Sequence, residues 1–148
     1  MRSGLPKVLH PIAGQAMVRH VIAAAAALNS QKTVAVVGHG APVVESALAD
    51  TGVQFALQSP QLGTGHAVQI ALPVLQPLPV DGQVLILYGD VPLIQPATLK
   101  ALLQAAGDGV GLVTQHLANP TGYGRIVRDD AGNVVCNVEE KDATDEQR

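Results

Sequence analysis

Gln61-Leu62-Gly63-Thr64-Gly65-His66-Ala67 stands between a short apolar run at residues 53–57 and a helical pattern over about 66–75. A glycine-rich turn brings backbone N–H groups close to an anionic ligand, and a helix opening behind it adds a partial positive charge. Downstream, Val84-Leu85-Ile86-Leu87-Tyr88-Gly89-Asp90 is an apolar run that ends on a carboxylate. A strand that stops at Gly-Asp leaves that carboxylate at the C-terminal rim of a sheet, where open α/β sheets bind ligands. Together the two stretches point to a nucleotide held by backbone amides and a metal held by Asp90.

Working outward, residues 14–28 read as a helix with the stripe Met17, Val18, Val21, Ile22, Ala25 and Leu28. Residues 33–38 form a β-branched run ended by glycine, the pattern of a strand buried on both faces. A helix over 42–48 follows, with Pro42 in its first turn, then a strand over 53–57. Pro73, Pro77 and Pro79 are expected to close the helix behind the glycine loop. Residues 84–88 are the third strand and 111–117 the fourth. The helix between them, 96–106, turns Leu99, Leu102 and Leu103 inward and stops at Gly107. The runs 125–128 and 134–138 read as a hairpin turning near Ala131-Gly132. Strands alternating with helices predict an α/β fold, a mostly parallel sheet covered on both faces, with the hairpin as an antiparallel addition. No internal repeat or low-complexity segment is seen.

The 148 residues suffice for one domain with a core but not for two. Phe55, Tyr88 and Tyr123 are the only aromatics, so Ala, Val, Leu and Ile must build the interior. A formal net charge of -3 argues against a nucleic-acid partner bound through many phosphates. Five scattered histidines lack zinc-ligand spacing. Cys136 is the single cysteine, so no internal disulfide can form, which fits a reducing compartment. The apolar octapeptide at 21–28 imitates a signal peptide only loosely, and falls short of the ~20 residues that span a bilayer. A cytoplasmic address is expected, with no membrane partner.

Each candidate side chain has a plainer reading. Asp90 could cap the turn before Pro92; its sheet-end position beside a presumed phosphate site favours a Mg²⁺ ligand instead. Gly63-Thr64-Gly65 lacks both the Lys-Ser/Thr ending of a P-loop and the spacing of a dinucleotide fold. It could be a flexible turn with Thr64 as helix N-cap. Gln58 and Gln61 just upstream strengthen it, because amides can bond a base edge through donor and acceptor. Lys7, stiffened by Pro6, could present an ammonium to phosphate rather than to water. Gly124, in the turn-rich loop from Asn119 to Arg125, could admit a ligand close to the backbone or merely lead into the hairpin. Glu139 could accept hydrogen bonds from sugar hydroxyls or be a solvated charge. His66 reads as a helix N-terminal residue, not a catalyst. The order of residues supports no Ser-His-Asp or Cys-His constellation.

These motifs occur in a recognisable order. Leu5-Pro6-Lys7-Val8-Leu9-His10, Gln58 with the Gln61–Ala67 loop, Leu87-Tyr88-Gly89-Asp90-Val91-Pro92-Leu93, Asn119-Pro120-Thr121-Gly122-Tyr123-Gly124-Arg125-Ile126-Val127 and Val138-Glu139-Glu140-Lys141-Asp142-Ala143-Thr144 run in that sequence. Over essentially all 148 residues the chain resembles the N-terminal uridylyltransferase domain of the bacterial bifunctional N-acetylglucosamine-1-phosphate uridylyltransferase/glucosamine-1-phosphate acetyltransferase family. The resemblance implies a Rossmann-like, glycosyltransferase-A-like nucleotidyltransferase domain over residues 1–148, a three-layer sandwich with a mostly parallel sheet. It implies UMP transfer from UTP to N-acetylglucosamine 1-phosphate with Mg²⁺, giving UDP-N-acetylglucosamine and pyrophosphate for peptidoglycan and lipopolysaccharide. Lys7 would contact the nucleotide phosphates, and Gln58, Gly63 and Thr64 the uridine portion. Tyr88, Gly89 and Asp90 would line the centre, with Asp90 on Mg²⁺, while Gly124 and Glu139 would hold the N-acetylglucosamine moiety. Lys7 and Asp90 are the residues expected to carry catalysis.

The chain departs from the family pattern at both ends. The family opens with a strand and a Leu-Ala-Ala-Gly-x-Gly-Thr-Arg-Met loop, of which Met1 alone would remain. A later Asn-Thr-Gly segment, a second metal-binding asparagine, and the acetyltransferase β-helix that makes the family trimeric lie beyond Arg148. The sheet is therefore expected to lack its first strand, between 33–38 and 84–88, and the isolated chain to be poorly stable and inactive. Rival readings are a nucleotidyltransferase for another sugar or base, a non-catalytic nucleotide-sugar-binding module, and a functionless gene product.

Overall fold

The structure is a computed structural model that describes residues 4–148. Met1, the proposed remnant of a glycine-rich loop, lies outside the described residues. Two compact units divide the chain at Gly109.

The first unit opens with a 3₁₀ turn, Lys7–Leu9, and a two-residue hairpin, β1 (Pro11–Ile12) against β2 (Gln15–Ala16). Ala13 and Gly14 take positive φ at its tip, a tight reversal that starts the following helix later than the apolar periodicity predicts. That helix, α1, runs Met17–Ala26 and turns Met17, Val21 and Ala24 inward. Asn29, in the left-handed region, ends the stretch. β3 (Val34–Val37) is followed by α2 (Ala41–Leu48), which Gly40 enters at φ 72° and Pro42 stiffens. β4 (Gln54–Leu57) then pairs with β3 in parallel, Val34 opposite Gln54 and Val37 opposite Leu57. The crossover helix α2 covers that pair, as a βαβ unit requires.

α3 (Thr64–Leu75) packs against β3 and β4. Pro73 lies inside it and does not close it; Gln76, with extended backbone, is its C-cap. Lys32 reaches across to donate to the carbonyls of Val74 (2.6 Å) and Gln76 (3.2 Å), satisfying groups that a helix end leaves open. α4 (Pro96–Ala106) buries Leu99 and stops at Gly107. The core of the unit gathers Leu9, Val37, Ala41, Val44 and Leu48, with Val8, Val18, Ile22 and Phe55 partly buried around them.

The second unit is a hairpin, β5 (Arg125–Arg128) against β6 (Val134–Val138), with a register shift after Val127. Gly132 at φ 85° makes its turn, and Asp129 closes it by accepting from Asn133 N–H at 2.8 Å. A 3₁₀ turn, Glu140–Asp142, follows.

The continuous, mostly parallel sheet expected from the sequence is replaced by three two-stranded sheets, one parallel and two antiparallel, among the described residues. Residues 84–88 and 111–117 join no ladder. The reason is that a strand is made by its neighbour: apolar residues supply the face, but a partner must accept and donate the backbone hydrogen bonds. Ile86 and Tyr88 remain 59% and 60% exposed, against partly buried Leu85 and Leu87, so the period-two pattern persists without a ladder.

Candidate active site

The parallel pair positions the glycine loop. Both strands run the same way, so Gly38 after β3 and Gln58 after β4 meet at the carboxyl end, and Gln58 N–H extends the ladder to Val37 O at 2.8 Å. Gln58 is the only buried polar side chain among the described residues. Its Nε2 donates to Gly63 O (2.8 Å) and lies 3.2 Å from His66 Nδ1. The amide that the sequence offered to a base edge is therefore spent, on its donor side, on fixing the loop. Gln61 is exposed, and its side chain occupies the space a Cβ on Gly38 would need.

Gly63 has φ 98° and ψ -178°, a conformation essentially restricted to glycine, and it serves as the N-cap of α3. Thr64, expected as a cap, is instead the first helical residue and makes no capping bond. Gly63 O accepts from Gln58 and from Ala67 N–H at 3.1 Å, and the N–H groups of Thr64, Gly65 and His66 before it have no intrahelical acceptor. His66 behaves as the helix residue the sequence predicted.

Lys7 and Asp90 come together from positions 83 residues apart, Nζ to Oδ2 at 2.6 Å. The Lys7 turn is anchored on one side by buried Leu9 and on the other by Pro6, which sits where a Cβ on Gly40 would come within 2.9 Å of its Cγ. Lys7 therefore projects outward while its neighbours hold. Asp90 lies in the turn closed by Val91 N–H to Tyr88 O at 3.1 Å. A Cβ at Gly89 would lie 3.3 Å from Val8 Cγ1 and 3.5 Å from Val18 Cγ2, so glycine lets this turn rest against the Lys7 segment and α1. The side chains of Lys7 and Asp90 keep 63% and 34% of their surface exposed, so both can meet a ligand. The hydrogen bond from Lys7 holds the Asp90 carboxyl below the usual aspartate range, against a smaller opposing effect of burial. Tyr88 makes no side-chain hydrogen bond among the described residues, and its side chain is largely in solvent.

In the second unit, Gly124 faces Asn137, whose Oδ1 would lie 2.5 Å from a Cβ placed there. A side chain at 124 would have to displace that terminal amide. The exposed Glu139 side chain forms no hydrogen bond or ion pair among the described residues, and its carbonyl accepts Asp142 N–H at 2.9 Å. Its neighbour Glu140 is the engaged carboxylate: it accepts the Gly122 N–H and lies 3.8 Å from Arg125 Nη2. Sequence reasoning passed over Arg125 and Glu140. The available signal was an opposite-charge pair bracketing a hairpin, one member inside a turn-rich loop. It also passed over Arg19, which holds Asp50 (2.5 Å) and Ala47 O (2.7 Å) at the end of α2.

Among the described residues no three His, Cys, Asp or Glu side chains form a metal-holding group. Asp90 offers one partly exposed hard oxygen donor next to the Lys7 ammonium, which suits an ion bound by a single carboxylate with its other positions filled by ligand oxygens and water. A hollow of about 360 Å³ lined by Ile22, Lys32, Thr51 and Gln54 lies at the opening ends of β3 and β4 and contains none of these groups. No helix among the described residues is long and apolar enough to cross a membrane.

Comparison with known proteins gives one family match and many relatives. The family described as "MobA-like NTP transferase domain" matches residues 1–141. A "Bifunctional protein GlmU" of Paraburkholderia phymatum is 59% identical over 149 residues, covering 100% of this chain and 32% of the relative. Proteins of the same name from Burkholderia vietnamiensis (57% over 148 residues, 99% and 32%) and Bordetella parapertussis (56% over 152 residues, 100% and 33%) match similarly. The chain spans about a third of the length of these relatives and corresponds to their N-terminal part.

Proposed function

The chain belongs to the MobA-like NTP transferase domain family and is by family a nucleotidyltransferase; from that premise we propose that it transfers UMP from UTP to N-acetylglucosamine 1-phosphate, forming UDP-N-acetylglucosamine and pyrophosphate. The observation that carries the reading is the meeting of Lys7 with Asp90, outside the core, next to a turn at Gly89 that packs closely on Val8 and Val18. Relatives named GlmU support the choice of base and sugar. The product would serve cytoplasmic synthesis of peptidoglycan and lipopolysaccharide precursors.

The chemistry needs alignment more than acid–base help. A phosphate oxygen of the sugar phosphate attacks the α-phosphorus of UTP, the bond to the β-phosphate oxygen breaks in line, and pyrophosphate departs. The nucleophile is already anionic, so no general base is called for. Lys7 neutralises phosphate charge through an exposed ammonium. Asp90 would hold Mg²⁺, which when bound supplies charge neutralisation at the phosphate oxygens. Gln58 orients Gly63 so that the opening amides of α3, with Thr64 first, can meet the nucleotide. Tyr88 and Gly89 shape the turn carrying Asp90. Gly124 and Glu139 are assigned to the N-acetylglucosamine moiety. Glu139 brings an exposed carboxylate to that assignment, and Gly124 a backbone position without a side chain.

The test is a graft: these residues replace the aligned segment of the Paraburkholderia phymatum relative, and pyrophosphate release is followed with UTP, CTP, N-acetylglucosamine 1-phosphate and glucose 1-phosphate. Release confined to UTP with the N-acetylated sugar, lost on Asp90→Asn, supports the reading. Equal turnover of CTP or glucose 1-phosphate overturns it, and so does Mg²⁺-independent binding of UDP-N-acetylglucosamine without turnover, given an active parent protein as control. The isolated chain, assayed alongside, tests whether these residues alone are inactive.

A further inference from the structure

We propose that Arg125 and Glu140 are positioning residues that shape the Asn119–Gly124 loop and the start of the Glu140–Asp142 turn for recognition of a hexose, an inference that rests on assigning Gly124 and Glu139 to the sugar moiety. The loop has little of its own to hold it: Gly122 sits at φ 85°, and the segment forms neither helix nor strand. Its local bonds are a turn, Tyr123 N–H to Pro120 O at 3.0 Å, and Asn119 Oδ1 accepting from Thr121 N–H and hydroxyl at 3.2 and 2.6 Å.

Two side chains from outside that turn supply the rest. Arg125 Nη1 donates to Pro120 O at 3.1 Å and also to Tyr123 O, so one guanidinium nitrogen clamps both ends of the turn. Glu140 takes the Gly122 N–H between those ends and faces Arg125. Both are withdrawn from water, with 13% of the Arg125 side chain and 31% of Glu140 exposed. Arg125 Nε is buried without a hydrogen-bond partner, a cost accepted for placing the other nitrogens.

The juxtaposition gives the clasp its functional meaning. Gly124 is the chain neighbour of Arg125, and Glu139 is the chain neighbour of Glu140. Each residue assigned to the sugar is therefore fixed through the residue beside it. Glu140 itself need touch no ligand.

The experiment titrates the full chain with UDP-N-acetylglucosamine and with UDP, followed by NMR resonances, in wild type, Glu140→Ala and Glu140→Gln. Glu140→Ala is expected to weaken UDP-N-acetylglucosamine by about tenfold, the effect of losing one charge-assisted bond, while UDP affinity stays within about twofold. Glu140→Gln, which keeps an acceptor for Gly122 N–H, should recover part of the loss. Equal weakening of both ligands would mean a merely structural role and overturn the inference. So would unchanged sugar-nucleotide affinity accompanied by a displaced Gly122 resonance. A wild-type chain that responds to neither ligand would overturn the inference for this chain, whereas pyrophosphate release by the graft decides the proposed function, which keeps the two failures apart.

Discussion

At Lys7 and Asp90 two opposite charges neutralise each other in a setting open to water, where such a pair adds little to stability. Its interest is chemical, and its pH behaviour follows from direction alone. Asp90 has a folded-state pKa below its unfolded one, because Lys7 favours the ionised form. The stabilisation is therefore present above the unfolded value, about 3.9, and is lost as pH falls through the lowered folded value. Asp50 beside Arg19 and Asp129 beside Asn133 are shifted the same way. The urea midpoint should change little from these groups between neutrality and pH 5 and decline in more acid solution, the decline being shallower in Asp90→Asn. At Gly63 the expectation is steric in a different sense. No atom lies within 4 Å of a Cβ built there, yet its φ of 98° strains any L side chain. Gly63→Ala should cost about 1–3 kcal/mol, read from denaturant unfolding, with no new contact in the structure.

Elements whose bonds are local were legible. The periodicity of Leu99, Leu102 and Leu103 with Gly107 behind them marked α4, and Ala131-Gly132 marked the hairpin, because both are closed by neighbours in sequence. Leu48, the last residue of α2, is fully buried. Leu48→Ala should lower unfolding free energy by about 2–5 kcal/mol, measured in urea. Residues 84–88 show where the sequence stops informing. Their apolar pattern predicts a face, and a ladder depends on a partner that no local pattern encodes. Pro73 misled for a related reason: packing of α3 on β3 and β4 keeps the helix continuous past a residue that propensity places at its end. Among the candidate site residues, the strand-end position singled out Asp90 and the resemblance added Lys7, while Glu140 stayed hidden beside Glu139, since only the folded hairpin shows which of two adjacent carboxylates turns inward.

For the molecule as a whole, protection should follow pairing. Amide exchange is expected to be slowest in Val34–Val37 and Gln54–Leu57, which share a parallel ladder, and fast at residues 84–88 and 111–117. Comparable protection in all four segments would show that the unladdered runs are bonded in solution after all. The second unit, residues 110–148, buries only Ala143, so its amides should exchange sooner than those of α2.

The β3–β4 ribbon engages one neighbour per strand, leaving a row of amides and carbonyls along each outer flank without a ladder among the described residues. Such flanks are templates for adhesion. Light scattering from a concentrated sample should climb steeply with protein content, and short β-forming peptides should quench or seed that growth.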